Sequence, residues 1–175
     1  TGLCYLPMYP AGLQQAAFEG DIYARLTGEQ AQVAFVAQPG SSAPVALQAE
    51  EQAYAAAVRE VYTALPEETR SALLALAAQA GIQPGAGAEA LARQVEAYVE
   101  QAAVYDIDAP RQPAQEDFAV YFLAQGKRGW CMHFATAAAC MLRALDVPAR
   151  YVSGYVCTVE GGAADVPDYA AHAWV

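Results

Sequence analysis

The feature that most constrains this chain is the apolar stretch over residues 131–145. Alanine, phenylalanine, methionine and leucine occupy nearly every side of the helix that this stretch would form, and a helix that is apolar all round is buried. A turn bounded by Gly126 and Gly129 precedes the stretch, and Pro148 stops it. We therefore expect a fold built around a central helix that begins at Cys131.

The sequence predicts further helices upstream of the central one. The first begins at about Leu47, and its apolar residues recur at the helical period. Those expected to face inward are Tyr54, Val58, Val61, Tyr62 and Leu65. A second helix starts at Pro66 and ends near Gly81, a typical residue just beyond a helix C-terminus. A third is expected over residues 88–104, and its inward face holds Leu91, Val95, Tyr98 and Val99.

The rest of the chain is predicted to hold loops and strands. Residues 105–116 contain prolines and aspartates and are interpreted as a loop, and 118–123 as a short aromatic helix or turn. Residues 150–159 are rich in Tyr and Val, which favours a strand, and a second strand begins at 172–175. Helices followed by strands indicate an α+β fold rather than a parallel α/β sheet.

Residues 1–46 are the hardest part of the chain to interpret. A short strand is predicted over 32–36, and the prolines, glycine and serines of 39–44 indicate a turn or linker. The sequence therefore predicts three parts. These are an N-terminal segment of uncertain structure (1–46), a helical region (47–104) and a core with the central helix and the strands (105–175).

Charge and residue content exclude several classes of protein. The formal net charge of −10 leaves no basic surface for nucleic acid or anionic lipid. No apolar run approaches the roughly 20 residues that span a membrane, so we expect no membrane insertion by this chain. The four cysteines include no Cys-x-x-Cys pair and the two histidines lie far apart, so neither a disulfide scaffold nor a zinc site is expected. We predict no metal and no cofactor.

Both ends of the sequence look like interior points of a longer protein. The chain starts at Thr1 rather than at an initiating Met, and no basic segment followed by an apolar one comes after it. Val175 closes an apolar run with no turn or polar tail behind it. We expect the parent protein to continue beyond both ends.

Cys131 is the candidate nucleophile. A thiol at a helix N-terminus lies near unpaired backbone N–H groups and the positive end of the helix dipole, which favour the thiolate. The same N–H groups can hold an oxyanion. His133 would point to another face of the helix, whereas His172, at a strand start, can fold against the helix end as the base. A lone cysteine before an apolar helix is more often an inert packed side chain, so both interpretations stay open.

Three segments of the chain resemble the bacterial transglutaminase-like superfamily. They are residues 129–137 (GWCMHFATA), 141–155 (MLRALDVPARYVSGY) and 172–175 (HAWV). The family pattern is G-[YW]-C-x-H-F-A-[ST]-A, then L-R-x-x-G-[IV]-P-A-R-x-V-x-G-Y, then H-A-W-V. The resemblance covers roughly residues 90–175, and 117–118 and 121–123 are similar to the preceding stretch of clostridial members. Asp146 departs from the pattern, because the family usually has Gly there.

The resemblance implies a transglutaminase core with a papain-like cysteine site and an antiparallel sheet that this chain contains only in part. Cys131 would be the nucleophile and His172 its base in acyl transfer or hydrolysis at a carboxamide or peptide bond. The third residue of the triad would be an Asp, or another polar group, beyond Val175. We therefore expect this part of the protein to be weakly active or inactive by itself.

Further residues carry expectations of their own. Trp130 would either wall the acyl pocket or simply pack, and Gln125 is a candidate for the oxyanion hole because papain-like enzymes place a glutamine at this spacing. His133 is expected to be a structural hydrogen-bonding residue. Arg150 is expected to be a buried or half-buried ion-pair partner. Cys140 and Cys157 are interpreted as packed apolar residues.

Several functions remain open from the sequence. A transamidase, a deamidase and a protease share one acyl-enzyme, and the acceptor decides among them. The alternative is a non-catalytic binding or scaffolding module with the same fold. A thiol acetyltransferase that acts on arylamines uses a similar triad, but residues 142–150 fit the transglutaminase-like pattern better. A protein or peptide substrate is expected, and the resemblance implies an extracytoplasmic domain of a membrane-anchored bacterial protein.

Overall fold

The computed structural model describes short strands within residues 3–37, and residues 49–158 and 166–175 without interruption, with side chains from residue 53 onward. The chain divides into two compact units, Thr1–Ala46 and Leu47–Val175. The linker predicted at 39–44 lies outside the described residues, as does the end of the strand predicted over 150–159.

The first unit contains strands, where the sequence predicted only one. Those described are β1 (Leu3–Tyr5), β2 (Pro10–Gln14), β3 (Ala16–Glu19), β4 (Tyr23–Leu26) and β5 (Ala34–Ala37). β4 pairs antiparallel with both β1 and β3, and β2 pairs antiparallel with β5. β5 overlaps the strand predicted over 32–36, of which residues 32 and 33 are outside the described residues. Strands this short show little alternation between apolar and polar residues, so the sequence signal is weak.

The second unit is built from helices packed around a central one. The helices are α1 (Ala49–Tyr62), α2 (Glu67–Gln79), α3 (Ala88–Ala102), α4 (Phe118–Tyr121) and α5 (Cys131–Ala144). Both α2 and α3 pack against α5. A single π-helical turn, Phe122–Gly126, continues α4. The predicted central helix is thus confirmed with its first residue at Cys131.

The core of this unit surrounds α5. Its largest fully buried side chains come from three helices and the π-helical turn: Leu73, Leu91, Val95, Phe122 and Met141. Ala137, Ala139 and Ala144 of α5 are also buried, so neighbouring helices approach its backbone closely. Burial of α5 follows from its composition, because it offers water almost no polar side chain.

The ends of α2 and the inward face of α3 agree with the sequence. Pro66 is the N-cap of α2, and Gly81 follows its end in the left-handed region with φ +80°. Leu91, Val95 and Val99 of α3 are buried, one helical turn apart. The predicted end at residue 104 is slightly too late, because Val104 belongs to a strand.

The inward face predicted for α1 is wrong in part. Tyr54 is 72% exposed and Val61 is 59% exposed, although both share the helical period of the apolar set. Tyr62, at the end of α1, is half-buried beneath the guanidinium of Arg143. Apolar periodicity shows which residues share one face of a helix, but it does not show what covers that face.

Two short sheets flank α5. β6 (Val104–Tyr105) pairs parallel with β7 (Arg128–Gly129), and β8 (Val152–Tyr155) pairs antiparallel with β9 (Ala171–Trp174). β8 is shorter than the strand predicted over 150–159, because pairing with β9 stops at Tyr155 and residues 156–158 are exposed. β9 packs against α5. The unit therefore has the predicted α+β class.

Candidate active site

Cys131 and His172 line the same cavity of about 790 Å³. The cavity lies between α3, α5 and β9, with Tyr105 at the end nearest the start of α5. Ala92, Val95, Val99, Ala135, Ala138 and Leu142 supply its apolar walls. The structure therefore brings together two side chains that are far apart in the sequence.

The backbone before Cys131 is fixed by β6. Val104 N donates to Lys127 O at 2.9 Å, and Asp106 N donates to Gly129 O at 2.7 Å. An ion pair of 2.6 Å joins Arg128 to the largely buried carboxylate of Asp106. These contacts hold the turn that carries the thiol, so Cys131 starts α5 in a defined position.

His133 closes the first turn of α5 rather than facing the thiol. Its Nδ1 accepts a hydrogen bond from Trp130 N at 3.3 Å, and its own backbone N donates to Trp130 O at 2.8 Å. The ring contacts the Trp130 indole at a centroid distance of 4.2 Å and Phe118 at 5.0 Å. His133 is 4% exposed, and burial lowers its pKa below the usual value. Burial therefore favours the neutral imidazole over the charged one, and His133 has the structural hydrogen-bonding role that the sequence predicted.

Gly129 is required beneath this histidine. A Cβ atom at Gly129 would lie 2.5 Å from His133 Cγ and 2.6 Å from His133 Cβ, much closer than carbon atoms can approach. The glycine that bounds the turn therefore makes room for the side chain that closes α5.

His172 is carried by β9 opposite Gly154 of β8. Its exposed ring stacks on Trp174 at a centroid distance of 6.4 Å, and both side chains line the cavity. A Cβ atom at Gly154 would lie 2.9 Å from the Trp174 indole, so this glycine lets the indole cross β8. The indole of Trp174 therefore lies beside the imidazole of His172.

The structure places Trp130 and Gln125 away from the Cys131 cavity. Trp130 is half-buried and lines a second cavity together with Phe118 and His133. Gln125 is exposed on the π-helical turn. Neither side chain is among the described residues that line the cavity of Cys131 and His172. Their roles at the acyl pocket and the oxyanion hole stay predictions.

Comparison with known proteins identifies the family of this chain. The family model described as the transglutaminase-like superfamily matches residues 74–175, more than half of the chain. The chain belongs to the transglutaminase-like superfamily. The match includes α5, β9 and most of the helical core, so the resemblance seen in the sequence motifs is confirmed.

Similar proteins extend the comparison. Over 67 residues the chain is 34% identical to the uncharacterized protein YebA of Bacillus subtilis (strain 168), covering 34% of this chain and 9% of that protein. Two crystal structures of the periplasmic domain of TgpA from Pseudomonas aeruginosa share the fold. Their TM-scores are 0.60 and, for the ethylmercury-bound form, 0.58, at 22% and 23% identity. Each match covers 98% of this chain, which spans 62% and 64% of the two TgpA chains.

The burial predicted for two other side chains of this transglutaminase-like domain is wrong. Arg150 is exposed rather than buried or half-buried, and its guanidinium lies 5.9 Å from the centroid of the Tyr62 ring. Cys157 is exposed rather than packed, because it lies beyond the paired part of β8. Cys140 is half-buried against the core as predicted, and burial raises the pKa of its thiol.

The residues that hold the helices of this transglutaminase-like domain together were not predicted from the sequence. Arg70 donates to the carbonyl oxygens of Arg143, Ala144 and Thr63 at 2.9, 3.2 and 2.6 Å. Asp117 accepts hydrogen bonds from Val120 N at 3.0 Å and from the Thr69 hydroxyl at 2.7 Å. An Asp before an apolar run is a recognisable N-cap signal, whereas no local pattern reveals the partners of Arg70.

Proposed function

We propose that this domain catalyses acyl transfer or hydrolysis at a carboxamide or peptide bond, with Cys131 as nucleophile and His172 as base. The observation that carries the proposal is that both side chains line one cavity. Cys131 is the first residue of α5 and His172 lies within β9, and these two elements pack against each other. A thiol and an imidazole on a helix start and a facing strand form the pair that cysteine enzymes use for acyl transfer.

The proposed reaction needs few groups. The imidazole of His172 takes the proton of the Cys131 thiol, and the thiolate attacks the carbonyl carbon. The backbone N–H of Cys131 is the first candidate donor to the tetrahedral oxyanion. Collapse of the intermediate breaks the C–N bond, and the imidazolium protonates the leaving amine. The resulting thioester is then attacked by an amine or by water.

The position of Cys131 favours this chemistry on physical grounds. Its thiol lies at the first residue of a helix of 14 residues, where the unpaired N–H groups and the dipole stabilise negative charge. The contacts of β6 and His133 hold that position without using the thiol. A polar residue following His172, such as an Asp, would orient the imidazole and complete the proposed triad.

A protein or peptide is the proposed substrate. The apolar part of the cavity wall accommodates a flexible chain with apolar side chains beside the thiol. Helix α3 also places Glu96 and Glu100 at the cavity. Transamidation, deamidation and proteolysis share the thioester and differ only in the acceptor that reaches it.

Selective alkylation tests the proposed nucleophile. We expect iodoacetamide near pH 6 to label Cys131 far faster than Cys140 or Cys157, as followed by mass spectrometry of the separate peptides. Cys157 is exposed, so it serves as an internal control for access. His172→Ala should slow labelling of Cys131 alone. Equal rates at all three cysteines would contradict an activated thiolate and favour a non-catalytic binding module.

We also propose that the domain functions outside the cytoplasm of a bacterium as part of a membrane-anchored chain. Support comes from the two similar crystal structures, which are of a periplasmic domain. Within the described residues, no helix is long and apolar enough to cross a bilayer. Fusion of the intact parent protein to a reporter that is active only outside the cytoplasm tests this, and an inactive, stably expressed fusion would contradict it.

A further inference from the structure

One wall of the cavity that holds Cys131 and His172 is charged. Among the described residues that line this cavity, every carboxylate and guanidinium side chain lies on α3: Glu89, Arg93, Glu96 and Glu100. An ion pair of 2.9 Å joins Glu89 to Arg93, so these two charges offset each other. The carboxylates of Glu96 and Glu100 therefore give the cavity wall a negative charge.

Neither of these two carboxylates stabilises α3. Glu96 and Glu100 are four residues apart, so their negative charges lie on one face of the helix and repel each other. Glu100 belongs to the last turn of α3, where the negative end of the helix dipole disfavours a carboxylate. Within residues 53–158 and 166–175, neither side chain forms an ion pair. A positive charge in the cavity would relieve this repulsion.

The two carboxylates lie towards the end of the cavity that holds the thiol. Strand β6 follows α3 and pairs with β7, which comes just before α5. This pairing brings the last turn of α3, with Glu100, to the first turn of α5, with Cys131. Glu96 lies about 6 Å farther along the helix axis, at roughly 1.5 Å per residue. A group held by these carboxylates is therefore only a few peptide residues away from the thiol.

An exposed aromatic ring lies at the same end of the cavity. Tyr105 lines the cavity and is 57% exposed, and its ring stacks on Phe134 at a centroid distance of 6.0 Å. The ring of a tyrosine attracts a cation. Carboxylates, an aromatic ring and an apolar wall together match a lysine or arginine side chain, which has a charged end on an apolar stem.

We propose that this cavity selects a peptide with a positively charged side chain a few residues from the reacting carbonyl group, and that Glu96 and Glu100 determine this specificity. That the peptide is a substrate rests on the proposed function, whereas the charge selection itself does not. An extended peptide fits the shape of the cavity, because the lining residues of α3 from Glu89 to Glu100 extend over roughly 16 Å.

Electrophilic dipeptides test the charge selection without turnover. The probes are chloroacetyl-alanyl-X-amides and chloroacetyl-X-alanyl-amides, in which X is lysine, norleucine or glutamate. The Cys131 thiolate displaces chloride from each probe, so an S–C bond forms as the C–Cl bond breaks. At low ionic strength, we expect the better-placed lysine probe to label Cys131 about tenfold faster than its norleucine counterpart, and the glutamate probe to be the slowest. Mass spectrometry of the separate cysteine peptides measures the rates.

Charge-removing variants identify the residues responsible. In Glu96→Gln/Glu100→Gln, the ratio of the lysine rate to the norleucine rate at Cys131 should fall to the ratio at Cys157, which is exposed and does not line the cavity. The matched control is Glu60→Gln/Glu68→Gln, which changes the net charge equally at exposed positions away from the cavity and should keep the wild-type ratio. Salt at about 1 M should also lower the wild-type ratio.

The outcomes separate this proposal from the proposed function. Equal ratios at Cys131 and Cys157 in the wild type would overturn the charge selection, as would a wild-type ratio in Glu96→Gln/Glu100→Gln or an equal loss in both double variants. The thermal midpoint of Glu96→Gln/Glu100→Gln should equal or exceed that of the wild type, because the variant removes a repulsion. Each ratio compares probes on one thiol, so it is independent of the intrinsic reactivity of Cys131 that iodoacetamide measures.

Discussion

At the scale of single residues, the start of α5 depends on His133 and Gly129, neither of which lines the cavity of Cys131 and His172. His133 closes the first helical turn through Trp130 N, and Gly129 leaves the space that its ring occupies. The thiol of Cys131 can therefore face the cavity while its neighbours determine where the helix begins. Substitutions at Gly129 and His133 should consequently act through position and stability rather than through chemistry.

Gly129→Ala should destabilise the domain by about 1–3 kcal/mol, because the new Cβ would overlap His133 and force the turn to move. Urea unfolding measures this change, and alkylation of Cys131 should slow in the same variant. Gly87→Ala is the matched control, because nothing lies within 4 Å of a Cβ atom at that position. Equal stability of the two variants would show that the turn at Gly129 accommodates a Cβ atom without strain.

The buried imidazole of His133 should make stability depend on pH. Burial lowers its pKa in the folded state below that of the unfolded chain, which is about 6.5. Between these two values the unfolded chain binds the proton and the folded one does not, so the free energy of unfolding falls as the pH drops below about 6.5. Above that pH the contribution of the neutral His133 imidazole to the free energy of unfolding is fully present.

His133→Asn provides the comparison for that pH dependence. The amide oxygen of Asn can accept from Trp130 N as Nδ1 does, but it does not titrate. We expect the free energy of unfolding of the variant to vary less with pH between about 6.5 and 5 than that of the wild type. Parallel curves for the two proteins over this window would show that His133 does not carry the dependence.

At the scale of secondary-structure elements, the end of α5 is held by charged side chains from elsewhere. Arg70 of α2 donates to the carbonyls of Arg143 and Ala144 in the last turn of α5. Asp146 follows α5 in the left-handed region with φ +65°, where the family usually has Gly. An ion pair of 2.6 Å between Asp146 and Arg59 of α1 accompanies this departure. Helix α5 is therefore tied at its end to α1 and α2.

Arg70→Met should cost about 2–3 kcal/mol of unfolding free energy, because it removes charge-assisted hydrogen bonds to three carbonyl oxygens but keeps an apolar stem. Chemical denaturation measures the change. In the control Arg93→Met, the lost contact is an exposed pair with Glu89 one helical turn away, so at most about 0.5 kcal/mol should be lost. A similar loss in both variants would contradict a special role for Arg70.

At the scale of the whole molecule, the second unit has a core of its own. The buried cluster around α5 draws on residues from Leu73 to Ala149, all within Leu47–Val175. This part of the chain should therefore fold when expressed without residues 1–46. We expect a helical circular dichroism spectrum and a single cooperative thermal transition. A helical spectrum without a transition would indicate that the core needs residues outside this unit.

The sequence by itself determined the central helix, its start at Cys131, the buried face of α3, the α+β class and the family. These features follow from helical period, turn residues and a motif, all of which are local. It did not determine the exposure of Tyr54, the length of β8, the strands of the first unit or the partners of Arg70. Each of these depends on which element lies against which other one.

Only the tertiary structure decided that Cys131 and His172 share a cavity and that Trp130, beside the thiol in the chain, lines a different one. The physical reason is that neighbours on a helix start project in different directions, while β9 packs against α5 and brings a distant histidine to it. A sequence motif states which residue types are present. The packing of α3, α5 and β9 determines which of them can act together.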